Sequence, residues 1–208
     1  MAALFDVLLR GVRDTGLFAT PEGVAAALVP VKESVAAVAA DVATSKADIT
    51  GLKNSRWQGD PINIAGLPSI AFTGIPSDAT KAEITLTNIT RSVDGVWGLI
   101  LGTASGYETA GYGGTSIIFP SAVSVMSTLF TLPGTGAADT FQGTLYLKRV
   151  GTGVTTQWVI SGLIGLSNKG MMMGVSGSKA LASVLDRIQI APVSGLFNSG
   201  YVSFSWEK

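Results

Sequence analysis

From Leu28 to Leu52 the apolar positions return at alternating spacings of three and four: Leu28, Val31, Val35, Val38, Val42, Ser45, Ile49 and Leu52, with Ser45 the one polar member. That is a heptad seam, narrower than the stripe a helix shows when it packs on a globular domain. With Leu28 at position a, the a set is Leu28, Val35, Val42 and Ile49, and the d set is Val31, Val38, Ser45 and Leu52. Asp41 and Lys46, like Asp48 and Lys53, then fall at g and the following e position, which face each other with opposite charge between parallel neighbours. β-branched residues dominate a and also occupy d at Val31 and Val38, which predicts three strands. The spacing therefore predicts a parallel trimeric α-helical coiled coil about 37 Å long. The competing reading, a single amphipathic helix lying on its own domain, would have to dock a rod of that length on a small body. Thr20, Pro21 and Glu22 supply a hydroxyl cap, a first-turn proline and a first-turn carboxylate, so a helix is expected to start there. Pro30 either ends a short helix or opens a restarted one, and the restart is the expectation.

Beyond Asn54 the period changes to two. Lys81 to Thr90 alternates Ala82, Ile84, Leu86 and Asn88 against Glu83, Thr85, Thr87 and Ile89, and runs into Asp94-Gly95, a hairpin-type turn. Further strands are expected at Val96–Leu101, Thr115–Phe119, Gly143–Val150, Thr155–Leu163, Leu181–Ala191 and Tyr201–Trp206. A short helix near Thr80 or Ala180 is compatible with the pattern. Strands of this length between Gly-rich turns predict a mainly β, antiparallel sandwich of jelly-roll-like kind over 70–208. The chain then divides into an N-terminal segment 1–20, a stalk 21–54, a linker 55–69 and a knob 70–208.

Composition narrows the function classes. Hydrophobic residues make up 47% of the 208, charged residues only 13%, and Gly numbers 26, which fits tight turns and an ample core rather than disorder. Lys plus Arg and Asp plus Glu both number 14, so there is no basic field to attract phosphates and nucleic acid is not an expected partner. A near-neutral, apolar-leaning chain fits obligate self-association. With no Cys and no His, thiolate or imidazole metal sites, disulfides and imidazole catalysis are not expected, and no cofactor is. No apolar run approaches the roughly 18 to 20 residues of a membrane-spanning helix. Asp6, Arg10, Arg13 and Asp14 break the opening segment, so neither a signal peptide nor membrane insertion is expected.

The candidate chemistry is sparse. A serine nucleophile would lack a histidine base, and a glycosidase needs two carboxylates within roughly 5 to 10 Å, for which Asp94, Glu108, Asp139 and Asp186 are the available groups. Gly174–Lys179 resembles a phosphate loop only in part, lacks the Gly-Lys-Ser/Thr ending, and is expected to be a turn. Tyr107, Glu108 and Tyr112 sit among glycines in the 106–114 loop. There they suit sugar stacking and hydroxyl recognition, or alternatively packing at a subunit interface with their hydroxyls as anchors. Trp97 and Trp158 are expected in the core. Asp186 and Arg187, adjacent on an expected strand, should point to opposite faces and so should not pair within the chain. Leu4, Phe5, Leu8, Leu9 and Val12 form an apolar cluster at near-helical spacing, suited to insertion into a partner's groove.

Four stretches carry a resemblance. They are Phe72-Thr73-Gly74-Ile75-Pro76-Ser77; Leu101-Gly102 followed by Gly106-Tyr107-Glu108-Thr109-Ala110-Gly111-Tyr112; Trp158-Val159-Ile160-Ser161-Gly162; and Leu185-Asp186-Arg187-Ile188 with Gly200-Tyr201-Val202-Ser203-Phe204-Ser205-Trp206-Glu207. In order and spacing they resemble the C-terminal knob domain of tailed-bacteriophage tail-fibre and related virion fibre proteins. The sequence departs from that pattern at Asp78, at Thr103 and at Met171–Met173. The resemblance implies a non-enzymatic, homotrimeric virion fibre on the particle surface, joined to a phage tail or capsid protein through its N-terminal cluster. Its knob would meet a host cell-surface glycan or protein. A head fibre or capsid decoration protein shares the same stalk-and-knob plan, and a polysaccharide depolymerase is the enzymatic alternative.

Overall fold

The computed structural model describes residues 21–53, 55–119, 122–134, 136–151 and 156–208, and the chain divides at Asn54 into two compact units. The apolar cluster Leu4, Phe5, Leu8, Leu9 and Val12, and the cap at Thr20, lie outside the described residues.

The first unit holds helix α1, Pro21–Lys53, 33 residues unbroken. The expected restart at Pro30 does not occur. Pro30 removes one backbone donor, that to the Ala26 carbonyl, and the helix continues on both sides. One turn on, Ser34 Oγ donates to the Pro30 carbonyl at 2.8 Å.

The second unit, Ser55–Lys208, is mainly β and sandwich-like, and all its strand pairs are antiparallel. Its strands are β1 (Arg56–Gln58), β2 (Ile62–Asn63), β3 (Ile70–Thr73), β4 (Lys81–Arg91), β5 (Trp97–Thr103), β6 (Gly106–Tyr107) and β7 (Tyr112–Phe119). They continue as β8 (Ala122–Val125), β9 (Phe130–Leu132), β10 (Phe141–Val150), β11 (Thr156–Leu166), β12 (Met171–Leu181), β13 (Arg187–Pro192) and β14 (Phe197–Glu207). The larger sheet runs β1-β14-β4-β10-β11-β12-β7-β8 with β2 also on β14, and the smaller runs β3-β13-β5-β6 with β9 also on β5. Strands β10, β11 and β12 follow one another as hairpins, and β7, joined to β10 by a long connection, lies beside β12. That is a Greek key.

Aromatic pairs pin one sheet to the other. Trp97 of β5 meets the rings of Phe141 and Phe197 edge-on at 5.1 and 6.1 Å, Phe72 of β3 stacks on Phe204 of β14 at 4.7 Å, and Tyr112 of β7 meets Phe130 of β9 at 4.9 Å. Such contacts add about 0.5–1.5 kcal/mol each beyond the area they bury. Trp97 and Trp158 are both in the core, as the alternation suggests.

The alternation of β4 holds from Ala82 through Leu86 and then breaks. Asn88 adopts φ 53°, the register against β10 and β14 shifts beside it, and Ile89, not Asn88, turns into the core. This is a β-bulge, in which one extra residue moves the following side chains to the other face. The bend at Asp94-Gly95 does not close a hairpin, because β4 belongs to the larger sheet and β5 to the smaller.

Other segments also differ from their sequence reading. The stretch 55–69, read as linker, carries β1 and β2, both paired to β14, and Ile64 is fully buried. Gly174–Lys179, read as a turn, lies in the middle of β12, between β11 and β7. Gly177 faces inward there, where a Cβ would come within 2.6 Å of Met126 Sδ and 2.7 Å of the Gly113 carbonyl. The glycine marks a close approach of strands. The expected strand 181–191 begins only at Arg187, since Leu181 ends β12, and neither Thr80 nor Ala180 is helical.

Candidate functional site

On α1 the seam residues Val31, Val35, Val38, Val42 and Ile49 are 38% to 61% exposed. Val31, Val35, Val38 and Val42 line one shallow furrow with Pro30 and Ser34. Thr44 and Thr50 turn their hydroxyls back to the carbonyls of Ala40 and Lys46, so these polar side chains are satisfied within the helix. A valine stripe left in water is unfavourable by the usual measure of about 25 cal/mol per Å².

The 106–114 loop is brought together in a way the sequence does not announce. Tyr112 is 5% exposed, and its hydroxyl accepts from the Leu101 N–H at 2.7 Å. Burial raises the phenol above its ordinary value, the Leu101 hydrogen bond opposes that rise, and the nearby Glu108 carboxylate adds to it. Glu108 contacts Lys179 Nζ at 2.5 Å and accepts from the Ala182 N–H at 2.9 Å. Lys179 is itself buried, donates also to the Ala180 carbonyl, and lies 5.6 Å from the Tyr112 ring centre. Glu108 and Tyr112 therefore belong to an internal anchor that ties the loop to β12. Tyr107 alone of the three lies outside that anchor, half-buried.

The candidate carboxylates are each engaged by a neighbour, and Asp94 and Asp139 both lie near the Arg91 guanidinium. Asp139 pairs with Lys169 at 2.7 Å, Glu108 with Lys179, and Asp94 accepts from the Ala137 N–H. Asp186 pairs with Arg187 at 2.7 Å, contrary to the expectation that adjacent strand residues point apart. Asp186 precedes the first residue of β13, so the pleat does not govern its direction.

Two poles can be distinguished within the second unit. The chain enters and leaves at one, where the Lys208 N–H donates to the Ser55 carbonyl. At the opposite end of β14 the connections 92–96, 136–140, 167–170 and 193–196 bond to one another. Ser92 N–H donates to the Leu196 carbonyl, Val193 N–H to the Val96 carbonyl, and Asn168 Nδ2 to the Ala138 carbonyl. Beneath them Arg91 is buried, its guanidinium donating to the carbonyls of Gly95 and Gly136 and lying 5.2 Å from the Phe141 ring centre. Desolvation lowers its pKa, and the charges of Asp139 and Asp94 oppose that shift. Above this rigid base Val93, Val96, Val193 and Leu196 are exposed on neighbouring connections. This apolar crown is not visible in any one stretch of sequence, because its members come from two distant bends.

The outward face of the larger sheet was missed as well. Phe119, Val123, Val125, Leu163 and Met172 are all exposed on it, but β8 and β12 carry too little regular alternation to be read as strands. Comparison with protein-family models, with curated proteins and with solved structures finds no match for the chain.

Proposed function

We propose that the chain is a non-enzymatic, homotrimeric structural fibre of a tailed phage, acting as a tail fibre or receptor-binding protein on the virion surface. Its helices zip into a parallel coiled coil, and the sandwich forms a knob that meets the host cell. The observation that carries this reading is the exposed valine stripe of α1, set on a helix about 50 Å long that is too regular to be incidental. The Greek key of the second unit supports a jelly-roll-like architecture, and the sequence stretches that resemble fibre knobs give the assembly its context. The apolar crown at the pole opposite the chain entry is the surface we assign to host contact. Residues 1–20, with Leu4, Phe5, Leu8, Leu9 and Val12, supply the attachment to the tail or capsid.

Purified full-length protein should bind host cells, and Val93→Asp with Leu196→Asp should lose that binding while keeping wild-type mass. Wild-type binding by that double variant would reject the crown as the contact surface. Label on the knob, located by electron microscopy of particles, should mark the tail, whereas label on the capsid would make the protein a head fibre. Release of reducing ends from envelope glycans, abolished by substitution of one carboxylate, would replace the structural reading with a depolymerase.

A further inference from the structure

The rows of the larger sheet show an unusual distribution of charge. One row across the strands reads Thr144, Leu163, Gly174, Ile117 and Val123, and the next reads Tyr146, Ser161, Ser176, Thr115 and Val125. Along the outward-facing positions of β11, β12, β7 and β8 there is no charged residue at all. Charge on this face returns beyond them, at Lys148, Lys81, Glu83, Glu207 and Arg56. Solvated antiparallel sheets place polar and charged side chains on the outer face. An edge strand such as β8 is normally protected by charge as well.

This face is also shaped. Gly174 and Ser176 floor an open trough of about 740 Å³, walled by Leu163 and Tyr146 on one side and by Ile117 and Phe119 on the other. Phe119, Val123, Val125, Tyr146, Leu163 and Met172 are 49% to 75% exposed. At roughly 150–250 Å² for a large side chain, these six present about 500–900 Å². The largest apolar patch of a typical monomer is about 300–600 Å². A standard interface takes about 800 Å² from each partner.

We propose that this outward face of the larger sheet is covered by the same face of a second and third copy of this chain, so that the knobs pack around a shared threefold axis. The inference rests on the trimer proposed above and names the surface by which the knobs complete it. Chain length argues for this occupant. Only Asn54 and Ser55 separate α1 from β1, so three helices zipped 8–10 Å apart would hold the first strands of their knobs within about 30 Å of one another, at high effective concentration. The uncharged face matches the uncharged face of a copy and offers no partner to a charged ligand. Small residues at the trough floor permit the close approach that the flanking large side chains then fill.

The chain has no cysteine, so a single introduced thiol reports on one position. Ser176→Cys places it on the trough floor, and Thr73→Cys places a control on exposed β3 of the smaller sheet. In the full-length protein the Ser176→Cys thiol should react with a maleimide at least about tenfold more slowly than the control, at trimeric mass. Adding Leu163→Lys, which puts an unpaired charge on the covered face, should restore the control rate while the stalk keeps the mass trimeric. Trimeric mass with Ser176→Cys as reactive as Thr73→Cys would overturn the knob interface and leave the stalk trimer standing. Monomeric mass would overturn both.

Discussion

Lys179 offers a sharp test of how the knob is held together. It is 5% exposed, and its ammonium meets Glu108 while Glu108 in turn receives the Ala182 N–H. Lys179→Met keeps the side chain's length and apolar stem but removes the cation. Removing one partner of a fully buried pair costs about 3–5 kcal/mol. The Glu108 side chain keeps 23% of its exposure and its backbone donor, so water and the Ala182 N–H compensate part of that loss. The expected cost is about 2 kcal/mol. Changing Glu108→Gln in the Lys179→Met background removes the stranded charge, so the double variant should be less destabilised than the two single losses added together, by about 1 kcal/mol or more. Equilibrium urea unfolding at one fixed protein concentration, followed by the fluorescence of the buried Trp97 and Trp158, reads both quantities. A Lys179→Met variant within about 0.5 kcal/mol of wild type, or strictly additive losses, would refute the anchor.

Three further outcomes are expected. Asn88→Val should destabilise the knob by about 1–2 kcal/mol because a β-branched residue resists φ 53°, while Asn88→Gly should be close to neutral; equal losses in thermal melts would argue against the bulge. Tyr112→Phe strands the buried Leu101 N–H and should cost about 1–3 kcal/mol at neutral pH. Because burial raises the folded phenol, wild-type stability should be fully present below about pH 10 and fall above it, as the unfolded tyrosine ionises first. Titrated denaturation should show a shallower alkaline loss in the Phe variant, and identical slopes would contradict the assignment. Val42→Asp puts a charge into the proposed seam and should abolish trimerisation; an unchanged sedimentation coefficient would count against the seam.

What could be read from the sequence followed the strength of its periodicity. The helix was legible because the three-four spacing repeats over several heptads, although nothing local showed that Ala-rich turns on either side would carry it through Pro30. Strands β4, β10 and β11 alternate strongly and were read nearly to their ends. Reading fails at Asn88, where one extra residue shifts the phase, and along β12, where Gly174, Ser176, Gly177 and Ser178 have turn composition yet lie within a paired strand, with Gly177 at a close approach to its neighbours. The anchor of Glu108 and Tyr112 is not legible, because their partner Lys179 lies 71 positions from Glu108 and the β7–β12 pairing brings it there. The crown and the uncharged sheet face are assembled from several distant segments, and no window of sequence contains either.

The claim on which the account rests is that α1 joins identical chains side by side. Sedimentation equilibrium of the full-length protein at micromolar concentration tests it most directly. The account predicts a single species of about three times the 21.3 kDa chain mass. A species at 21.3 kDa across that range would contradict it.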